Sequence, residues 1–321
     1  VSDLRRSRST GIFLGFLADA VLADPRRGHP VAGFGWGATG LEAVTYRDGR
    51  LAGALHTAAL VGGVTASAVL AQHHMRHRWA RVALMAAATW VALGGTTLAR
   101  TGSRMADLLD AGDIEAARSL LPSLCGRDPS ALDGPGLARA ACESVAENTS
   151  DAQVAPLFWA AVAGAPGVLA YRAINTLDAM IGNRSARYAR FGWAAARLDD
   201  VANYVPARLT GALVLACAPL VGGSSVRAAR AWRSDAGRHP SPNAGIPEAT
   251  FAGALGVGLG GPTQYRYQLE IRPTLGAGPG PRVVDLRRAV RLSLLVQAGA
   301  LAVAVVISAV DHSGRPACPR R

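Results

Sequence analysis

The apolar residues of this chain are gathered into long runs, and that clustering constrains its fold more than any motif does. Runs at 51–71, 82–99, 154–171, 205–221 and 292–310 approach the roughly 20 residues that a helix needs to cross a hydrocarbon core. The last is the cleanest. Half of the 321 residues are hydrophobic and the mean hydropathy is +0.19. The expectation is an all-α polytopic membrane helical bundle, one membrane-embedded domain over 1–321. Within it, 100–150 reads as a soluble helical insert in which Asp113 caps a helix that Pro122 closes, 224–290 as a polar loop region, and 311–321 as a disordered tail.

The central run is interrupted by Pro156, Gly164, Pro166 and Gly167. Broken helices at membrane depth survive only where they are buried or line a cavity. A kinked or re-entrant helix pair is therefore expected, returning the chain to the side it left. Runs 51–71 and 82–99 read as a helical hairpin, and the HHMRHRWAR stretch between them as an interfacial loop rather than a metal cluster of His73, His74 and His77. At the N-terminus, Arg5, Arg6 and Arg8 precede an apolar segment that superficially matches a signal peptide, but Asp19 inside it argues against one. A short membrane-dipping helix carrying Asp19, Asp24 and His29 to one end is one reading; ordinary polar residues at a helix end are the other.

All 34 basic residues are Arg, for a net charge of +12. Guanidinium suits carboxylates, phosphates and anionic headgroups, although a high-GC genome produces the same bias. The arginines are scattered between apolar runs and aromatics make up only 6% of the chain, which speaks against a nucleic-acid surface. Cys125, Cys142, Cys217 and Cys318 form no CxxC pair, so neither a zinc site nor a disulfide framework is indicated.

Two polar blocks carry chemistry. In ARAACESVAENTSDAQVAP, a helix would put Glu143, Glu147 and Asp151 on one face. Like charges four apart repel, so arginines, hydrogen bonds or a divalent cation must offset them. On spacing alone a solvated acidic face is the ordinary outcome; a Mg²⁺ or phosphate-handling edge is the functional one. In the block from 171 to 211, Arg172, Asn175 and Asp178 are spaced by three, and Asp199 and Asn203 by four with Asp200 adjacent. Their oxygens suit Mg²⁺, and Arg172, Arg184, Arg187 and Arg197 suit phosphate or carboxylate oxygens. A loop laced with ion pairs is the alternative, but an acidic pair just before an apolar run is costly unless it is used. Further on, His239, Asn243 and Glu248 are polar contributors or ordinary turn residues, and no P-loop is present.

The order ADAVLADPRRGHPV, ARAACESVAENTSDAQVAPLF, GAPGVLAYRAINTLDAMIGNRSARYARFGWAAARLDDVANYVPARLTG and HPSPNAGIPEATFAGALGVGLGGP resembles the adenosylcobinamide-phosphate synthase family of cobalamin biosynthesis, from about residue 11 to 294. The resemblance implies a multi-pass inner-membrane ligase with its active site facing the cytoplasm. It implies amide formation between a propionate of adenosylcobyric acid and (R)-1-aminopropan-2-ol or its O-phosphate, with ATP and Mg²⁺, and other cobalamin-assembly enzymes as partners beside the lipid bilayer. Chemistry then nominates Glu143, Glu147, Asp151, Asp178, Asp199 and Asp200 for the cation. Arg172, Asn175, Arg184, Arg197, Asn203 and Asn243 are nominated for substrate, and His29, Glu147 or Asp199 for catalysis. Two rivals stand beside this reading. One is a Mg²⁺-dependent prenyl or CDP-alcohol transferase, although Asp178 is followed by AMIGN and the DGxxAR opening is missing. The other is a non-catalytic membrane sensor or scaffold.

Overall fold

A computed structural model describes residues 2–25, 27–183, 185–264 and 269–309. In chain order the helices are α1 (Ser2–Leu22), α2 (Pro30–Thr45), α3 (Arg50–His74), α4 (Arg78–Ala92), α5 (Gly95–Asp110), α6 (Ile114–Leu120) and α7 (Gly134–Thr149). They continue with α8 (Ala155–Ile181), α9 (Trp193–Ala202), α10 (Tyr204–Cys217), α11 (Ser225–Asp235), α12 (Gly245–Leu255) and α13 (Val283–Ala309). The fold is all-α, with one antiparallel hairpin of β1 (Leu259–Gln264) and β2 (Leu269–Leu275) laid against it.

Among the described residues, five helical stretches are long and apolar enough to span a membrane: Arg50–His74, Arg78–Asp110, Gly134–Ile181, Tyr204–Val221 and Val283–Ala309. On α3, Leu51, Leu55, Val69 and Leu70 are exposed, a surface that water would penalise and hydrocarbon would not. Small residues bring helices close where the bundle is packed: a Cβ added at Gly15 of α1 would fall 2.6 Å from the Ala86 carbonyl oxygen of α4.

Several expectations are corrected. The N-terminal helix is not short, since α1 runs 21 residues along α4. The run at 82–99 is two helices, broken at Gly94, whose N–H donates to the Ala152 carbonyl. The open N-terminus of α5 is satisfied from another helix: Asp19 Oδ2 of α1 accepts from Thr96 N (3.1 Å) and Thr96 Oγ1 (3.0 Å). Asp113 does cap α6, accepting from Ala116 N, and Pro122 lies in the 3₁₀ turn that follows. Yet α5 and α7 belong to the bundle rather than to an exposed insert, because α7 is buried on most of its surface. The stretch 224–290 is not loop: it holds α11, α12 and the hairpin, and every residue of α12 is buried. Pro247 sits in the first turn of α12, where a missing N–H costs nothing. Position 310 and the tail 311–321 lie outside the described residues.

The expected break in the central run is real. Inside α8, Gly164 takes φ 68 and ψ −158, a conformation open essentially only to glycine. A straight helix would separate residues 151 and 171 by about 30 Å. Instead the Tyr171 hydroxyl lies 2.9 Å from the Asp151 carbonyl oxygen. The helix therefore folds back on itself, and Arg8 of α1 caps the carbonyls freed at the turn, donating to Ala161 O (3.0 Å) and Val162 O (3.3 Å).

Candidate active site

Because the chain reverses at Gly164, the acidic end of α7 and the polar end of α8 meet at one level of the bundle. Between α7 and α8 the helix widens into a π-turn, Ser150–Val154, which carries Asp151. Such turns interrupt the regular ladder and often mark functional positions. From the other side α9 brings Asp199 and Asp200. Asp199 is held at both oxygens: Asn203 Nδ2 donates to Oδ2 (2.9 Å) and Asn175 Nδ2 approaches Oδ1 (3.4 Å). The Tyr171 hydroxyl is shared between the Asp151 carbonyl and Asn203 Oδ1, each at 2.9 Å. One chain of contacts thus links the π-turn, α8 and α9.

Glu147, Asp151, Asp178 and Asp199 lie within electrostatic reach of one another, and Asp200 within reach of Asp178 and Asp199. Burial pushes the Asp199 carboxyl up to about 6 against the hydrogen bonds from Asn203 and Asn175, and Asp200 and Glu147 add to the push. Arg172 supplies the cation. Its Nε is buried without a hydrogen-bond partner, it stands in the field of Asp24 and Asp151, and it lines a cavity of about 170 Å³ with Pro30, Val31 and Thr176.

Other nominated residues are engaged within the protein. His29 caps α2, its Nδ1 accepting from Val31 N (3.2 Å). The neutral ring therefore carries its proton on Nε2, 3.4 Å from Asp24 Oδ1. That geometry leaves it no free lone pair for taking a substrate proton. Asn203 positions Asp199, and Asn243 is spent on the Asp200 carbonyl (2.7 Å) and Arg208 (3.2 Å). Arg197 is exposed and pairs with Asp200 at 3.3 Å. Glu143 leaves the acidic stripe: it is buried, ion-paired with Arg127, and accepts from Gly260 N (2.7 Å). It anchors the hairpin to α7, together with Arg139, which donates to Gly260 O and Pro262 O. Arg184 lies outside the described residues. Among the described residues, no three Asp, Glu, His or Cys side chains are gathered tightly enough to enclose an ion by themselves.

Sequence reasoning missed Tyr171, whose only signal was a hydroxyl in an apolar run; it named His239 and Glu248 but not Arg272, which the structure joins to them. Glu248 on α12 is fully buried, with both oxygens lacking a hydrogen-bond partner. His239 Nε2 lies 3.6 Å and Arg272 Nη1 3.7 Å from its Oε1. Burial raises the Glu248 carboxyl well above the usual range, and Glu143 and Glu147 add to this. Burial also lowers His239, helped by Arg272.

A family model described as CobD/Cbib protein matches residues 12–293. The chain belongs to the CobD/Cbib family. Its relatives include a cobalamin biosynthesis protein CobD of Mycobacterium tuberculosis, 64% identical over 302 residues, covering 94% of this chain and 96% of the relative. A protein of the same name from Rhodobacter capsulatus is 44% identical over 278 residues, covering 85% and 87%. A third, from Chromobacterium violaceum, is 42% identical over 311 residues, covering 92% and 97%. No solved structure matches the chain. The family's shared span takes in all three elements of the acidic edge, the π-turn, the polar half of α8, and α9.

Proposed function

We propose that the protein acts in cobalamin biosynthesis as an adenosylcobinamide-phosphate synthase. In this reading it joins a propionate of adenosylcobyric acid to (R)-1-aminopropan-2-ol or its O-phosphate at the cytoplasmic edge of the inner membrane. Membership of a family whose relatives are named for cobalamin biosynthesis supports the pathway. The observation that carries the chemistry is the acidic edge beside Arg172, assembled from segments that the Gly164 reversal brings together.

A free carboxylate does not acylate an amine at neutral pH. ATP overcomes this by transferring its γ-phosphoryl group to a propionate oxygen; the amine nitrogen then attacks the carbonyl carbon, and phosphate leaves as the amide forms. Mg²⁺ commonly takes one or two carboxylates plus substrate phosphates rather than an all-protein cage. Asp151 and Asp199, which lie in each other's field, are its proposed holders, and the bound ion would neutralise phosphoryl charge. Arg172, with its unpartnered Nε, grips a phosphate or carboxylate oxygen. Glu147, half-buried at the same edge and not among the holders, accepts the proton that the amine must lose. Asn203 and Tyr171 hold Asp199 in place.

The test is a product-resolved assay of purified protein with adenosylcobyric acid, ATP and each amine in turn. ATP-dependent amide product supports the proposal. Consumption of a CDP-alcohol without amide would favour a transferase, and binding without turnover would favour a scaffold.

A further inference from the structure

A second cavity, of about 630 Å³, opens between α11, α12 and the end of β2, lined by residues that take no part in the acidic edge. Its size falls within the ordinary range for small-molecule pockets, about 300–1,000 Å³. Its charge is one-sided. Arg227 and Arg230 lie three apart on α11, hence on one face, and Arg238 joins them from the turn after that helix. Among the described residues neither Arg227 nor Arg230 has an ion-pair partner; the Arg227 side chain makes one hydrogen bond, from Nε to Gly253 O at 3.4 Å. The one acid in the lining, Asp235, is already engaged: it accepts from Gly276 N (2.9 Å) and from Ser234 Oγ (2.9 Å), and lies 3.8 Å from Arg238.

The opposite wall is backbone. Gly256 and Gly276 have φ of 76 and 80, and a Cβ added at Gly256 would stand 3.4 Å from Arg227 Nη2. A side chain there would press on the guanidinium and narrow the cavity. Two unpaired guanidiniums on one helix face repel each other, and an anion held between them removes that cost. The arginines also place this face outside hydrocarbon, where such charges are expensive.

We propose that this cavity is a second anion site, which takes a phosphate-bearing ligand through Arg227 and Arg230 and is separate from the acidic edge. The phosphate belongs either to a soluble phosphate ester or to an anionic lipid headgroup at the membrane surface; the recognition chemistry is the same.

The experiment uses the full-length protein purified in detergent, titrated with pyrophosphate by calorimetry and with phosphatidylglycerol by native mass spectrometry. R227Q/R230Q should weaken one of these ligands at least tenfold. R233Q, which removes an exposed charge of the same helix outside the cavity, should leave it unchanged. Loss for pyrophosphate assigns a soluble ligand, and loss for phosphatidylglycerol alone assigns the headgroup; either supports the site. Binding unaltered in R227Q/R230Q, or equal weakening in R233Q, overturns it. Should the double variant fail to fold, phenylglyoxal labelling of the unmutated protein decides: either ligand must protect Arg227 and Arg230 more than Arg233, and equal protection refutes the site. The result is independent of the proposed amide synthesis, because no turnover is read.

Discussion

Gly164→Ala tests the reversal that builds the acidic edge. Alanine at φ 68 and ψ −158 enters a region essentially reserved for glycine, at a cost of about 1–3 kcal/mol. The new Cβ would also meet Arg8 Nη2 at 3.3 Å, disturbing the guanidinium that caps Ala161 and Val162. Relaxing the strain means opening the hairpin, which draws Tyr171 from the Asp151 carbonyl and from Asn203, the residue that holds Asp199. In detergent the variant should melt roughly 2–6 °C lower, at a few degrees per kcal/mol, and lose amide synthesis disproportionately. The control is Gly62→Ala, in the middle of α3, where a Cβ meets nothing within 4 Å. That change should be neutral, or stabilising by up to about 1 kcal/mol. If both variants melt and turn over alike, the reversal at Gly164 is not what holds the site together.

Four further outcomes follow from the same geometry. Asp199→Asn should keep the fold, as read by thermal unfolding, and lower ATP-dependent amide formation by orders of magnitude, because the carboxylate that Asn203 and Asn175 position is lost. Breaking the buried Arg127–Glu143 pair with Glu143→Gln should cost about 3–5 kcal/mol as read by thermal unfolding; the apolar double variant Arg127→Met/Glu143→Met should recover only part of it, because the buried Gly260 N–H then loses its acceptor at about 1–3 kcal/mol. Because the folded state raises the Glu248 carboxyl, its contribution to stability is present at low pH and lost as pH rises through the folded value. Glu248→Gln should therefore gain melting temperature over the unmutated protein as pH increases, and a gap independent of pH would count against this. Amide synthesis should stop in chelator and return with Mg²⁺; full rates in chelator would contradict the cation.

Much of this architecture was legible from local signals. The helices α3 and α13 follow from uninterrupted apolar runs, and the break in α8 from Gly164, Pro166 and Gly167 within a stretch too apolar to be a loop. The meeting of Asp151, Asp178 and Asp199 followed from that break, since a reversed chain returns its polar ends to one side. What remained hidden depends on partners far away in sequence. Glu143 and Glu147 look equivalent at a spacing of four, yet Glu143 turns to Arg127 and to the Gly260 N–H, a residue 117 positions downstream. The π-turn at Ser150–Val154 has no residue signature of its own. The glycines and prolines of 239–262 read as loop because α12 is buried in the fold rather than amphipathic at its surface. His29 looked like a base because its Nδ1 capping bond becomes visible only once α2 is formed.

The central claim is that Asp151 of the π-turn and Asp199 of α9 hold a divalent cation against a nucleotide. Electron paramagnetic resonance of Mn²⁺, standing in for Mg²⁺, measures this directly in the purified protein with ATP present. The account predicts a protein-bound Mn²⁺ signal in the unmutated protein that is lost in Asp151→Asn/Asp199→Asn while the melting profile is retained. An unchanged signal in that variant would contradict it.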